Sequence, residues 1–193
     1  MPKSGKLSCS YQTQKKIAES MKELMKKNSF DKISISDKTS NCSIHRQTFY
    51  YHFNDKYELL EWIIYNELVE PLINGFTLDN MYERFEIMFS TMKRDEMFFK
   101  SAFKVSHEWF ALYLNNTITK EFSKIVVSIN DENGTTFESQ KDILITSQFI
   151  SYGITGVVYN WAMNGMKETP QNLTESLKNI VSGVKRLANR TNN

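Results

Sequence analysis

Residues 43–60 read SIHRQTFYYHFNDKYELL, and this stretch decides the fold of the N-terminal part of the chain. Phe49 and Phe53 lie four residues apart, so a helix over about 45–53 places them on one face, with Ile44 just ahead of them. We expect that face to pack against an earlier helix. The opposite side then presents side chains that donate to base edges, touch a thymine methyl group and reach phosphate oxygens: Arg46, Gln47, Thr48, Tyr50 and Tyr51.

Two earlier helices are predicted. Apolar residues at helical spacing indicate a first helix from about 11 to 27. In the segment ISISDKTSNCSI that follows, Ser36 or Asp37 is predicted to cap a short second helix that ends near residues 42–43. Two short helices joined by a tight turn form a helix-turn-helix unit.

A fourth helix is predicted after the quoted aromatic residues. Asp55 and Glu58 have the D-x-x-E spacing of a capping box, so this helix should begin there and end near Pro71. Lys56 stands at its start, where the helix N-terminus adds partial positive charge and a phosphate backbone would pass. A three-helix unit with a basic, polar face is typical of proteins that read the major groove of DNA.

The rest of the chain is also predicted to be helical. Only three prolines and seven glycines interrupt 193 residues, which favours long helices over a β fold with many turns. Residues 131–139 form the clearest loop, and Thr169 with Pro170 should start the last helix. The predicted fold is therefore all-α, with a helix-turn-helix domain over residues 1–56 and a helical sensing and dimerisation domain over residues 57–193.

Charge is distributed unevenly between these two parts. Residues 1–56 carry eleven Lys and Arg against five Asp and Glu, whereas residues 57–193 carry thirteen against seventeen. The N-terminal part is the electropositive end, to which a polyanion would bind. The alternative is that these lysines only solvate helix faces.

The longest uncharged stretch, residues 143–166, has the 24 residues needed to span a bilayer. It contains several Ser, Thr and Asn side chains and three glycines, which is too polar for a lone membrane helix. We expect a buried helix that contacts neighbours on several sides. Cys9 and Cys42 form no C-x-x-C pair and no signal peptide is visible, so a cytoplasmic protein without membrane contact is expected.

The run ISISDKTSNCSIHRQTFYYHFNDKYELL resembles the DNA-binding domain of TetR-family transcriptional regulators, whose signature contains T-[FL]-Y-x-[HY]-F followed by Lys and a Leu pair. The resemblance covers roughly residues 10–65. More distantly, RQTFYYHFNDKYELLEWI, FSTMKRDEMFFKSAF and YGITGVVYNWAMNGMKETP resemble the branch that includes regulators of dihydroxyacetone-kinase operons and some metal-efflux activators. This resemblance implies double-stranded DNA as a partner.

The resemblance also assigns roles to single residues. It implies that Arg46, Gln47 and Thr48 read bases and that Tyr50 and Lys56 contact phosphates. Three residues depart from the family pattern. Lys38 replaces a buried aliphatic residue, Ser43 replaces the usual turn glycine, and His45 replaces a capping Ser; a non-glycine residue in a left-handed turn costs about 1 kcal/mol. Near the start of the second helix, the positions that commonly touch the DNA backbone are Ser34 and Ser36.

No catalytic or metal-binding pattern is present in the sequence. His45, His52 and His107 form no H-x-x-x-H or H-E-x-x-H motif, so no metal site is predicted. There is no G-x-S-x-G sequence, phosphate-binding loop or paired-carboxylate signature. We therefore expect neither an enzyme nor a cofactor.

The segment between Met81 and Tyr113 is rich in aromatic and Met side chains. Such side chains form ordinary cores, but they also line apolar cavities for irregular ligands. An effector bound there should be largely apolar; control by a protein partner is the alternative. The candidate ligand-binding residues are Phe85, Met88, Phe89, Phe103, His107, Trp109, Phe110 and Tyr113.

Small residues in the uncharged helix indicate a dimer contact. Gly153, Gly156 and Asn160 form a strip on which a partner helix could approach closely, and an apolar stripe on the last helix could complete a four-helix interface. The predicted function is sequence-specific binding of a palindromic operator by a homodimer; the alternative is a helical interaction or membrane-surface protein. The stripe on the last helix contains Leu173, Leu177, Ile180 and Val184.

Overall fold

The computed structural model describes residues 9–105, 107–133 and 139–191, apart from the side chains of residues 107, 129–133 and 184–191. Every regular element in this part of the chain is helical, which confirms the predicted all-α class. A 3₁₀ turn covers Phe30–Lys32 and a π-helical turn covers Tyr65–Val69. The helices are α1 Cys9–Met25, α2 Ile35–Asn41, α3 Arg46–His52, α4 Lys56–Ile64, α5 Glu70–Ile73, α6 Met81–Arg94, α7 Glu96–Phe103, α8 His107–Asn133, α9 Gln140–Met163 and α10 Pro170–Thr191.

We call residues 9–55, which include α1, α2 and α3, the reading head. Ile17 and Met21 form the buried face of α1, as their four-residue spacing predicts. Phe49 and Phe53 are buried with them, with ring centroids 5.8 Å apart, so the predicted inner face of α3 is confirmed.

The start of α2 differs from the prediction. Ser34, and neither Ser36 nor Asp37, is the N-cap: its hydroxyl accepts a hydrogen bond from the backbone N–H of Asp37 at 3.1 Å. The Asp37 carboxylate in turn accepts from the backbone N–H of Ser34 at 2.8 Å. Several adjacent Ser and Asp residues could cap this helix, and only a cap at Ser34 allows this reciprocal pair.

The fourth helix begins and ends close to the predicted positions, but it contains a π turn that was not predicted. Its start is as expected, because the Asp55 carboxylate accepts from the N–H groups of Tyr57 and Glu58. Helical backbone then continues through the π turn into α5 and ends at Ile73, two residues after Pro71, so the predicted end near Pro71 is confirmed. In a regular α-helix the Pro71 ring would clash with the carbonyl of Glu67, four residues earlier. The π turn avoids this clash and lets the helix continue.

The helices of residues 56–191 form the body. Helices α8 and α9 pack along each other, α10 packs on α6, and α7 contacts both α9 and α1. One apolar core runs from Ile17 in the reading head to Leu173 in α10. Head and body are therefore joined through packed side chains.

The end of α8 differs from the prediction, whereas the start of α10 agrees with it. Helix α8 extends through Asn133, so the first three residues of the predicted 131–139 loop are helical, and residues 134–138 lie outside the described residues. The start of α10 is confirmed, since the Thr169 hydroxyl accepts from the N–H of Asn172 at 3.1 Å and Pro170 is the first helical residue.

The uncharged helix is not covered on several sides, as the sequence led us to expect. One face of α9 is buried and includes Ser147, Ser151 and Thr155, but the opposite face is exposed in the single chain, where Phe149 is 80% exposed. A sequence without charges does not distinguish a helix inside the core from one that covers the core and exposes its other face. None of the described helices is long and apolar enough to cross a membrane.

Candidate nucleic-acid interface

The outward face of α3 is polar and aromatic. Arg46, Gln47 and Tyr50 are exposed, Thr48 is half-buried, and Tyr51 is 81% exposed. All five side chains belong to α3. The buried Phe49 ring fixes which side of this helix points inward, and so it also fixes which side chains point outward. The structure therefore brings the predicted base-reading residues onto one surface.

Two of these side chains contact each other. The Arg46 guanidinium donates to the Tyr50 hydroxyl at 3.3 Å and lies 5.9 Å from the centre of its ring. The stacked arrangement restricts the Arg46 side chain before any ligand binds, which lowers the entropy that binding would cost. The pair leaves other guanidinium N–H groups of Arg46 available for acceptors.

The turn between α2 and α3 fixes the position of this face. Ser43 has φ 53°, the left-handed conformation that the missing glycine would favour. The chain then returns to α2, because the N–H of Ile44 donates to the carbonyl of Thr39 at 3.0 Å. The turn expected from the sequence is thus formed with a serine in a strained position.

Lys38 on α2 is completely buried, at 0% exposure, although it is charged. Its ammonium donates to the carbonyl of Ser34 at 3.0 Å and lies 5.8 Å from the centre of the Phe49 ring. Burial, together with the positive charge of Lys56, lowers the pKa of Lys38 to about 8, and Asp37 offsets only part of this effect. Burial of the protonated lysine therefore lowers the stability of the head at neutral pH.

Lys56, a predicted phosphate contact, bonds within the chain. Its ammonium donates to the carbonyls of Phe30 and Asp31 at 3.0 and 3.1 Å and lies 4.6 Å from the centre of the Phe30 ring. These contacts fix the 3₁₀ turn against the start of α4. The role of Lys56 toward DNA stays a prediction, and binding a phosphate would require one of these carbonyls to be exchanged.

The two predicted serine contacts lie together at the start of α2. Ser34 and Ser36 are both exposed. The Ser34 hydroxyl also donates to the Asp37 carboxylate at 2.7 Å, so its capping bonds fix its direction. Ser36 lies in the first turn of α2.

The predicted dimer residues divide into two groups. Gly153, Gly156 and Asn160 are exposed on α9, and a Cβ built on either glycine meets no atom within 4 Å. On α10, Leu173 is buried in the core of its own chain and Leu177 is half-buried against it, while Ile180 is 61% exposed. The side chain of Val184 lies outside the described part of the chain.

Four further residues extend the α9 strip and were not recognised in the sequence. Phe149 and Tyr152 are exposed there with Ile145 and Met163. Their spacing from Gly153 and Gly156 is helical, so a search for a stripe opposite the buried serines would have found them. We call the whole set the α9 face: Ile145, Phe149, Tyr152, Gly153, Gly156, Asn160 and Met163.

Most of the predicted ligand residues are packed against one another. Phe85, Met88, Phe89, Phe103 and Phe110 are buried, and the rings of Phe103 and Phe110 are 4.0 Å apart. Trp109 and Tyr113 are half-buried, and their rings stack 5.9 Å apart. The side chain of His107 is not among those that the structure describes.

An enclosed space lies beside this cluster and shares only Met88 with it. Its volume is about 10 Å³, close to that of one water molecule. The Thr155 hydroxyl is buried here and has no hydrogen-bond partner within the described residues. The other lining residues are apolar: Leu68, Val69, Leu72, Leu114, Ile118, Ile154 and Val158.

Comparisons with known proteins agree with this arrangement. Residues 79–183, more than half of the chain, match a TetR-type family model described as "Transcriptional regulator C-terminal region". The HTH-type dhaKLM operon transcriptional activator DhaS of Lactococcus lactis subsp. lactis (strain IL1403) is 29% identical over 102 residues. That alignment covers 53% of this chain and 54% of the relative, so it spans about half of each.

Two solved structures share the fold. The dihydroxyacetone kinase operon activator DhaS superposes with a TM-score of 0.69 at 22% identity, covering 91% of this chain and 97% of that one. NalD, the secondary repressor of the MexAB-OprM multidrug efflux pump in Pseudomonas aeruginosa, gives a TM-score of 0.58 at 13% identity, covering 88% and 94%. These two structures show the fold, and the family model that matches residues 79–183 shows that the chain belongs to the TetR family, whose members are transcriptional regulators and not enzymes.

Proposed function

We propose that the protein binds a palindromic operator as a homodimer, with α3 of each protomer in the major groove. The observation that carries this proposal is the outward face of α3, where Arg46, Gln47 and Tyr51 are exposed on a helix anchored by Phe49. Major-groove readers present such donors and rings from one short helix. In a two-fold dimer the two α3 helices would lie about 34–36 Å apart, or somewhat farther on bent DNA.

Individual roles follow from the chemistry of each side chain. Arg46 is suited to donate to O6 and N7 of guanine, and Gln47 to pair with N6 and N7 of adenine. Thr48 can contact a thymine methyl group, and the exposed tyrosine hydroxyls can donate to phosphate oxygens. The proposed backbone contacts are Ser34, Ser36, Tyr50, Tyr51 and Lys56.

The α9 face supports the proposed dimer. Phe149 and Tyr152 are large exposed rings, and the glycines beside them allow a second helix to approach closely. Contiguous apolar patches on a soluble protein mark interaction sites. A second copy of this chain fits, because a two-fold axis would place the α9 faces of the two copies against each other.

The effector is proposed to be a compact apolar molecule with one polar group that bonds the Thr155 hydroxyl. The space at Thr155 holds about one water molecule, so an effector can bind only if the π turn or α9 moves. The effector would then bind the opened conformation more tightly than the closed one. It can shift operator affinity by no more than this difference in binding. A protein partner is the second candidate, because it acts on the surface without opening this space.

Selection of sites from random duplex DNA, followed by titration of the winning site at several salt concentrations, tests DNA reading. We expect a palindrome to be enriched and bound at least about 10³-fold more tightly than random DNA. The competing class, a helical interaction or membrane-surface protein, is tested with anionic vesicles. Equal retention of all DNA sequences, together with vesicle binding, would contradict the proposal.

Thermal shifts with an apolar library, a polyol set and zinc test the effector. The proposal expects a response to apolar compounds that Thr155→Val removes. Thr174→Val is the matched control, because the Thr174 hydroxyl is buried but donates to the carbonyl of Pro170 at 2.9 Å. A response to polyol or metal alone would contradict an apolar effector, and no response to any of the three would favour a protein partner.

A further inference from the structure

A buried ionic cluster joins the reading head to the body. Lys22 lies on α1, and its side chain is only 5% exposed. Its ammonium donates to both carboxylate oxygens of Glu67, at 2.8 and 3.0 Å, and to the Asp95 carboxylate at 3.0 Å. A lysine ammonium has three N–H donors, so these bonds use all of them. Glu19, one turn earlier on α1, lies 3.7 Å away and is largely exposed.

A second cation belongs to the cluster. Arg94 donates to the Asp95 carboxylate at 3.2 Å, so Lys22 and Arg94 together neutralise Glu67 and Asp95, while Glu19 stays largely exposed beside Lys22. Burial lowers the pKa of Lys22, but its bonds to Glu67 and Asp95 outweigh burial and raise it above the usual value. Burial raises the pKa of Glu67, while for Asp95 the bonds to Lys22 and Arg94 outweigh burial and lower it. Lys22 therefore stays charged at neutral pH.

The three residues belong to three separate elements. Lys22 is in the reading head, Glu67 is in the π turn after α4, and Asp95 is at the junction of α6 and α7. The π turn sets the position of Glu67, because Pro71 prevents a regular α-helix at this point. Lys22 thus binds the body at two places, the π turn and the junction of α6 and α7. The chain connection through α4 leads directly only to the first of them.

The geometry points to a positioning role for this cluster in DNA binding. We propose that Lys22, through Glu67 and Asp95, fixes the angle of the reading head on the body and thereby sets the spacing between the two half-sites that the dimer accepts. This inference rests on the proposed function as a dimeric operator-binding protein. Lys22 itself lies in the head–body joint and reads no base.

A small change of this angle is large on the scale of DNA. Helix α1 has 17 residues and is about 25 Å long, so a rotation of about 10° at one end displaces the other by about 4 Å. One base pair of DNA rises about 3.4 Å. The displacement that such a rotation produces is therefore as large as the rise of one base pair.

Charged groups suit this role better than apolar ones. Hydrogen bonds with defined directions fix an angle, whereas apolar contacts are non-directional. A buried ionic cluster can often be replaced by apolar residues without loss of stability. Its removal should therefore change the angular restraint and leave the fold intact.

The test uses operators whose half-site spacing varies by single base pairs around the preferred value. Wild type is compared with the triple variant Lys22→Met, Glu67→Gln, Asp95→Asn, which leaves no unpaired buried charge. We expect the preference for the best spacing over its neighbours to fall at least about fivefold, with unchanged melting temperature, dimer mass and binding to an isolated half-site. Lys26→Met is the matched control, since Lys26 follows directly after α1, one turn beyond Lys22, but pairs locally with Glu23 at 2.6 Å. It should keep the wild-type profile.

The outcomes separate this inference from the proposed function. A folded triple variant with the wild-type spacing profile overturns the positioning role, while specific operator binding by wild type keeps the proposed function. Binding by wild type without sequence preference overturns both. If the triple variant does not fold, Asp95→Asn replaces it, because that variant keeps the Lys22–Glu67 pair; an unchanged profile in Asp95→Asn also overturns the positioning role.

Discussion

The reading head and the α9 face expose opposite kinds of side chain. The head presents Arg46, Gln47 and Tyr51 to solvent, whereas the α9 face presents Phe149 and Tyr152 around two glycines. Surfaces that bind DNA are polar and wet, and the centre of a protein–protein interface is apolar and depleted in charge. The two surfaces therefore suit two different proposed partners, DNA at the head and a second copy of the chain at the α9 face, and each is recognisable by the side chains that it exposes.

The largest expected effect comes from placing a charge on the α9 face. Gly156→Glu should give monomers and lower operator affinity by about 10²-fold or more, because two linked reading heads bind far more tightly than one. The open space around the Gly156 Cβ position means that the fold of the single chain is preserved. Sedimentation and operator titration measure the two effects. Ser90→Glu on the exposed side of α6 is the control, and a monomeric wild type that binds a palindrome tightly would contradict the dimer.

The next effect separates base reading from backbone contact in the head. Arg46→Ala or Gln47→Ala should relax preference at one half-site position by about 1–3 kcal/mol. Lys56→Ala should instead weaken all DNA sequences alike and lower the salt dependence. It should also lower the unfolding temperature, because Lys56 bonds the 3₁₀ turn. Titrations against a panel of single-base variants measure these effects, and unchanged sequence preference in Arg46→Ala would show that α3 does not read bases.

A smaller effect concerns the cost of burying Lys38. Below pH 8 Lys38 is protonated in both the folded and the unfolded chain. Between about pH 8 and pH 10.5 the folded chain loses this proton while the unfolded chain keeps it. The contribution of Lys38 to the free energy of unfolding therefore rises with pH across this window. Lys38→Met should stabilise the protein by about 1–3 kcal/mol at pH 7.

Urea unfolding at pH 7 and pH 10 tests this prediction. The increase in the free energy of unfolding caused by Lys38→Met should be smaller at pH 10, where the wild-type lysine is largely neutral in the folded state. Lys27→Met, at an exposed lysine just after α1, is the control and should show no such change. An equal gain at both pH values would mean that burial of the charge is not the cause.

The smallest effect concerns the turn between α2 and α3. Ser43→Gly should stabilise the head by up to about 1 kcal/mol, because glycine adopts a positive φ without the backbone strain that serine has there. Thermal unfolding measures the gain, with Ser40→Gly in the helical part of α2 as a control expected to destabilise. A loss of stability in Ser43→Gly would show that the turn is not strained.

Short-range signals in the sequence were reliable. The four-residue spacing of Phe49 and Phe53 predicted the inner face of α3, and Asp55 and Thr169 cap their helices as predicted. These features depend on neighbours within one or two helical turns. For the same reason the outer residues of α3 were predictable, because fixing the inner face of a helix also fixes its outer face.

Where several residues competed, or where distant elements met, the sequence was insufficient. Ser34, Ser36 and Asp37 could each cap α2, and only the folded turn selected Ser34. Helix α9 was expected to contact neighbours on several sides, but one of its faces, which includes Phe149, is exposed in the single chain. The fourth helix ends near Pro71 as predicted, but no sequence pattern indicated the π turn that precedes this proline.

By itself, the sequence determined the all-α class, the helix-turn-helix and the residues on the outward face of α3, because periodicity and capping act between residues close in the chain. Tertiary structure alone decided the contacts of Lys22 with Glu67 and Asp95, which lie 45 and 73 residues away along the chain. It also decided which face of α9 is left exposed, and it buried the Thr155 hydroxyl where no described residue is a hydrogen-bond partner. Long-range packing brings such groups together, and no local pattern records which distant residues will meet.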